Sequence, residues 1–148
     1  MLDTRKHRIA NSFGTKADDY ARTAMLQEQT AQILARHIPK KRYERVLEIG
    51  CGTGFLSHEL LIKHDIGHID VTDLSQDMLD FTAQIIEGCR KQTATSFFVM
   101  DGEHPDGLAA QYDLIVAGMA VQWFEDPLAG LERLRLLLKV VAAVGVGV

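Results

Sequence analysis

Three glycines at alternate positions, Gly50, Gly52 and Gly54, follow the apolar run Val46-Leu47-Glu48-Ile49 and precede a helical pattern that begins at Phe55. Such a turn presents bare backbone to a ligand. Glycine admits φ > 0 and carries no Cβ, and the start of a helix leaves its first N–H donors unpaired. The chemistry is recognition of a flat or anionic molecule. Two acidic positions stand where they would join it. Asp73 ends the alternating run Ile69-Asp70-Val71-Thr72-Asp73, nineteen positions after Gly54, where an acidic side chain in a Rossmann-like unit accepts from both ribose hydroxyls. Its other use would be to cap the next helix, a role for which Ser75 competes ahead of Gln76. Asp101 opens the polar turn Asp101-Gly102-Glu103-His104-Pro105. Its carboxylate suits an exocyclic amine such as adenine's, with the neighbouring backbone at the ring edge; an ordinary Asx turn is the alternative. A dinucleotide-binding turn wants its third glycine at position 55, which is Phe55, so NAD is the poorer fit.

The elements that position these groups follow from apolar spacing. Residues 8–38 read as a short helix, a break at Gly14 and a longer helix, closed by Pro39 and followed by an exposed Lys40-Lys41-Arg42 hinge. Strands are expected at Arg45–Ile49, Ile69–Asp73, Ser96–Met100, Tyr112–Gly118 and Val140–Val148, with a turn around Asp65 to Gly67. Helices are expected from Phe55, from Gln76 to Ile86, and from Asp126-Pro127 to about Leu138, the last with Leu128, Leu131, Leu134 and Leu138 as its apolar stripe. The alternation predicts an α/β fold, a Rossmann-like open parallel sheet with helices on both faces, incomplete after the fifth strand. Residues 1–40 are expected as a helical segment that either lies as a lid over the ligand end of the sheet or only covers a face, and 41–148 as the ligand-binding domain, one structural domain in all. Met119-Ala120-Val121-Gln122-Trp123-Phe124 is apolar for a connection, so it is either buried or the wall of an acceptor pocket.

Composition bounds the function. The 148 residues are 47% hydrophobic and 24% charged, enough for one core. A net charge of −4 without a basic block argues against nucleic acid. The N-terminus lacks a signal pattern and no run reaches membrane-spanning length, so the expected location is the cytoplasm, without membrane partners. Cys51 and Cys89 form no Cys-x-x-Cys and read as reduced thiols, neither a nucleophile. His64 and His68 have a spacing that suits a metal on a helix, but Gly67 lies between them, so they read as a polar loop and no metal is expected.

Glu48 to Gly54, Asp73-Leu74-Ser75 with Met78-Leu79, Asp101-Gly102-Glu103 and Tyr112-Asp113-Leu114-Ile115 together resemble the ordered motifs of class I S-adenosylmethionine-dependent methyltransferases. The stretch Ile9 to Leu34, with Phe13, Tyr20 and Gln27, and Val121 to Pro127 are most similar to the malonyl-carrier-protein O-methyltransferases of biotin synthesis. Lys139-Val140-Val141 departs from the family's usual Lys-Pro-Gly-Gly, and the family's last strands are missing. The resemblance implies S-adenosylmethionine as cofactor, with Glu48, Gly50, Gly52 and Gly54 in the turn that admits it. Asp73 would hold its ribose, Met78 would pack on its adenine ring, Asp101 with Gly102 would read the adenine edge, and Leu74 would also touch the cofactor. Tyr20 and Gln27 would belong to a lid over the methionine end, and Trp123 would border the acceptor. It implies methylation of the free carboxylate of a malonyl thioester on a small molecule or carrier protein. Another small acceptor such as a quinone precursor, or an inactive cofactor-binding fragment, are the alternatives. The apolar last strand is expected to promote self-association.

Overall fold

The computed structural model describes residues 6, 17–89, 92–118 and 120–146. Five parallel strands, β1 (Arg42–Ile49), β2 (Asp65–Asp73), β3 (Ala94–Val99), β4 (Tyr112–Ala117) and β5 (Leu138–Val146), lie in the order β3-β2-β1-β4-β5. Helix α1 (Ala17–His37) precedes β1, and the crossover helices are α2 (Phe55–Lys63), α3 (Gln76–Ile86) and α4 (Pro127–Arg135). β1 is central and covered on both faces, which is why Val46 to Ile49 are buried one after another rather than on alternate positions.

Each face of the sheet carries its own core. Val46, Ile69, Val71 and Leu114 pack against Ala31 of α1 and Ile38 just after it, Leu56 and Leu60 of α2, and Leu79 of α3. On the other face, Leu47, Ile49 and Ile115 pack against Phe124, Leu134 and Leu137. The strand order reverses at β1, so the cleft between the β1 and β4 carboxyl ends is where a ligand fits such a sheet.

Several boundaries differ from the periodicity. β1 and β2 begin earlier than expected, at Arg42 and Asp65, so Arg42 is not a hinge and Gly67 lies within a strand. The parallel ladder overrides turn-forming composition: Arg42 pairs with Asp65 in register and its guanidinium donates to the Asp65 carboxylate at 2.7 Å. α4 stops at Arg135 and Leu138 opens β5, so the four leucines form no single stripe. Leu134 is buried, while Leu128, on the first turn at the solvent side, is 81% exposed.

The two histidines are not in a polar loop. His64 follows the last turn of α2 and shares a 2.9 Å hydrogen bond with the Ala35 carbonyl, joining α2 to α1. His68 is in β2 beside Asp70, whose buried carboxylate also accepts from Arg45 and from the Tyr112 hydroxyl. Burial first, and then this bond to Asp70, push the Tyr112 phenol up to about 12.

Candidate functional site

The turn after β1 has the backbone that its glycines permit. Gly50, Gly52 and Gly54 have φ of 69°, 54° and 89°. The Cys51 N–H donates to the Thr72 carbonyl at 2.9 Å, fastening the turn to β2. The three glycines differ in what limits them. A Cβ on Gly50 would meet the Ala120 Cβ at 2.7 Å and one on Gly54 would meet Thr82 at 3.1 Å, whereas one on Gly52 would meet nothing within 4 Å. The empty space beside Gly52 is a cavity at the carboxyl edge of the sheet.

Asp73 lies on the wall of that cavity. Its Oδ2 accepts from the Gly52 N–H and its Oδ1 from the Ser75 N–H, each at 2.9 Å. Ser75 caps α3, its hydroxyl accepting from the Met78 N–H at 3.4 Å. Ser75 therefore takes the cap, yet Asp73 is not free of local duty. Burial pushes the Asp73 carboxyl up, opposed by the N–H groups of Gly52, Ser75 and Leu74. The Gly52 and Ser75 bonds take one acceptor position on each oxygen of the about four that a carboxylate offers, which leaves a position on each for a ligand hydroxyl. Asp73→Ala should weaken binding of a ribose-containing ligand by roughly 1–3 kcal/mol. It should also lower the apo melting temperature, because two backbone donors lose their acceptor. Titration calorimetry giving an unchanged dissociation constant would remove Asp73 from the ligand site.

Asp101 is 8% exposed and also lines the cavity. It does make the Asx turn, accepting from the Glu103 N–H at 3.0 Å, and it faces the cavity as well; the two readings coexist. Gly102 is required by packing, since a Cβ there would overlap Ile49 and approach Phe124. Leu74 and Met78 form the wall beside Asp73, and Gln27 enters from α1, with its amide oxygen 3.4 Å from the Thr53 hydroxyl. The Tyr20 side chain lies outside the described residues.

The apolar connection after β4 is both buried and a wall. Phe124 is buried in the second core, and Trp123, in a short 3₁₀ turn over Val121–Trp123, lines the cavity beside it.

Glu48 and Gly54 are not on the cavity wall. Glu48 is fully buried beneath the turn, with Oε1 accepting from the Ser57 hydroxyl and Oε2 without a partner. Burial pushes its carboxyl up to about 7, against the Ser57 bond, with the charge of Asp73 adding to the rise. Stability should therefore fall as pH rises from about 4.5, where the unfolded chain releases this proton, to about 7, where the folded chain does. The difference is worth up to about 3 kcal/mol. Glu48→Gln should abolish that fall in urea titrations at pH 5 and pH 8; equal losses in both proteins would refute it.

Two features were not legible in the sequence. Lys6, 2% exposed, reaches the cavity and bonds both Asp101 oxygens at 3.0 Å and Glu103 Oε1 at 2.5 Å. Glu103 also accepts from the Glu125 and Asp126 N–H groups at 2.9 and 2.8 Å. Burial would raise the Glu103 carboxyl, but Lys6 and these N–H groups outweigh it and hold it at about 2. Lys6 is 95 residues from Asp101 in sequence, and no local pattern marks such a pair.

The Cys51 thiol also lies on the wall, but burial pushes its pKa well above the usual thiol range, so it is no thiolate nucleophile. Among the described residues no cluster of His, Cys, Asp and Glu could hold a metal ion. No helix among them is long and apolar enough to cross a membrane. The cavity thus brings the glycine turn, the carboxylates of Asp73 and Asp101 and the apolar side chains of Leu74, Met78, Trp123 and Phe124 to one place.

Residues 47–141 match the family model described as a methyltransferase domain. The chain belongs to this family. The matched region contains the glycine turn, Asp73, Asp101 and Trp123, the groups that form the cavity. Over 138 residues the chain is 40% identical to the malonyl-[acyl-carrier protein] O-methyltransferase of Magnetococcus marinus, covering 91% of this chain and 50% of that protein. The chain thus spans about half the length of this curated relative. Among solved structures, the methyltransferase in complex with the Haloferax volcanii Trm112 activator superimposes with a TM-score of 0.75 at 19% identity, covering 97% of this chain and 59% of the other. The Haemonchus contortus phosphoethanolamine N-methyltransferase 2, solved in complex with S-adenosyl-L-methionine, gives 0.67 at 22% identity, covering 80% of this chain and 27% of that one. Both likenesses establish the fold: the methyltransferase domain here is the five-stranded, doubly covered sheet expected from the chain's alternation of strands and helices.

Proposed function

We propose that this chain is the cofactor-binding part of an S-adenosylmethionine-dependent methyltransferase whose acceptor is the free carboxylate of a malonyl thioester. The observation that carries the cofactor is the cavity itself: space beside Gly52, Asp73 with spare acceptor capacity, and Asp101 at the far edge. The identity to the malonyl-[acyl-carrier protein] O-methyltransferase supports the acceptor. In this reading the partner is a small-molecule or carrier-protein thioester, the location is the cytoplasm, and neither nucleic acid nor membrane takes part.

When bound, the cofactor supplies a methyl group on a sulfonium, ready for in-line displacement. The chain's own residues then have three tasks. Gly52 and the turn admit the ligand backbone; Asp73 takes the ribose hydroxyls, with Leu74 and Met78 on the base; Asp101 and Gly102 read the adenine edge. Gln27 of α1 covers the cavity from the first-core side, and Trp123 and Phe124 keep the acceptor side apolar and poor in water. No group on the wall needs to act as a general base. A carboxylate acceptor is already ionised near neutral pH, so alignment is what remains to be supplied.

Isothermal titration with S-adenosylhomocysteine tests the cofactor half without an acceptor. Saturable one-to-one binding, with NAD giving none under the same conditions, is the expected outcome. Heat from NAD and none from S-adenosylhomocysteine would replace this function with a dehydrogenase's.

A further inference from the structure

Asp101 accepts three hydrogen bonds within the protein: from Lys6 to Oδ1 and to Oδ2, both at 3.0 Å, and from the Glu103 N–H to Oδ1 at 3.0 Å. A carboxylate has about four acceptor positions. One remains, on Oδ2, and the residue carrying it lines the cavity. The carboxylate would otherwise turn freely about its last torsion, since only one of its oxygens is held by its own loop. Lys6 straddles both oxygens and is itself fixed, by Glu103 Oε1 at 2.5 Å and by the Phe124 ring, whose centroid lies 5.7 Å from Nζ. Glu103 is in turn anchored by the Glu125 and Asp126 N–H groups.

We propose that Lys6 is a positioning residue for cofactor specificity, holding the Asp101 carboxylate so that its one free acceptor position selects a purine 6-amino group over a 6-oxo group. This rests on the reading that Asp101 faces the adenine edge. A 6-amino group donates to that position, whereas a 6-oxo group sets two acceptors against each other and leaves both unpaired in a buried site. The cluster carries two carboxylates against one ammonium. That excess charge favours a ligand donor there over an acceptor. Without Lys6 the carboxylate is held by its own loop at Oδ1 alone and turns about its last torsion, so its free acceptor position is no longer fixed toward the 6-amino group.

The test compares the dissociation constants of S-adenosylhomocysteine and its 6-oxo analogue S-inosylhomocysteine. The proteins are the unmodified chain, Lys6→Met, Lys6→Gln, Lys6→Arg and Asp101→Asn, each checked for folding by circular dichroism. The unmodified chain should prefer the amino compound by about tenfold or more. Lys6→Met and Lys6→Gln should reduce that preference to below about threefold, Lys6→Arg should restore most of it, and Asp101→Asn should lose or invert it. If both uncharged Lys6 variants keep the full preference while Asp101→Asn loses it, Lys6 has no positioning role and the adenine reading of Asp101 stands. If Asp101→Asn keeps the preference, the reading of Asp101 falls and the proposal with it. Loss of the preference in Lys6→Arg as well would also overturn the proposal, because the restored charge should hold the carboxylate.

Discussion

Gly52→Val is expected to reduce S-adenosylhomocysteine binding by at least about a hundredfold while the chain still folds. A Cβ at Gly52 meets no protein atom within 4 Å, so the valine side chain has room in the empty protein, and the room it takes is the cavity. The cost to folding is strain: φ is 54°, and a β-branched residue in the left-handed region costs roughly 1–3 kcal/mol. Gly50→Ala makes the contrast. Its Cβ would lie 2.7 Å from the Ala120 Cβ, so that substitution should act first on folding, through the connection that leads to Trp123. Circular dichroism, thermal melting and calorimetry on the two variants separate the effects. A folded Gly52→Val protein that binds S-adenosylhomocysteine normally would remove the glycine turn from the site.

The parts of this architecture with a short sequence range were legible. Ser75 and the apolar spacing that follows set the bounds of α3, Gln76–Ile86, and the glycine turn announced α2 at Phe55. Where tertiary pairing decides, local pattern fell short. Gly67 reads as a turn residue, yet β2 already runs through it because the ladder to β1 begins at Asp65. Leu128 fits an apolar stripe, yet the first turn of α4 turns Gly130 to the core beside Phe124 and leaves Leu128 exposed.

The site divides in the same way. Asp73 could be read from its distance to the glycines within one strand-helix-strand unit. Its second duty, bracing the Gly52 N–H, could not, because that bond exists only once the two strands lie side by side. Glu48 is the opposite case: its motif suggested a ligand contact, whereas burial and the Ser57 hydroxyl hold it under the turn. Glu103 needs partners 22 and 23 residues further on, and Lys6 one 95 residues away, spans over which sequence spacing carries no information.

Those long-range bonds matter for what this 148-residue chain does when produced on its own. Glu103 joins the turn that carries Asp101 to the start of α4, directly after Trp123 and Phe124, so these two sides of the cavity are braced together. Apart from Tyr20, the proposed cofactor contacts lie on the ends of β1 and β2, on the turns at the carboxyl ends of β1 to β3, on α1 and on α3, all among the described residues, so binding of S-adenosylhomocysteine should be measurable. Methyl transfer asks for more. The acceptor carboxylate must be held in line with the sulfonium in a water-poor pocket, and a misplacement of about 1 Å costs on the order of a hundredfold. The relative named for this reaction is about twice as long, and this chain covers 50% of it. Strand β5 also stands at one end of the sheet order, and an edge strand that nothing covers pairs readily with another chain. The expected result is therefore binding of S-adenosylhomocysteine, little or no methylation of a malonyl thioester, and an apparent mass that rises with concentration in sedimentation. A chain extended to the full length of that relative should gain turnover at least about a hundredfold and lose the concentration dependence. Equal turnover by the two chains would mean that Trp123 and Phe124 suffice to align the acceptor, and that the division between cofactor and acceptor parts is wrong.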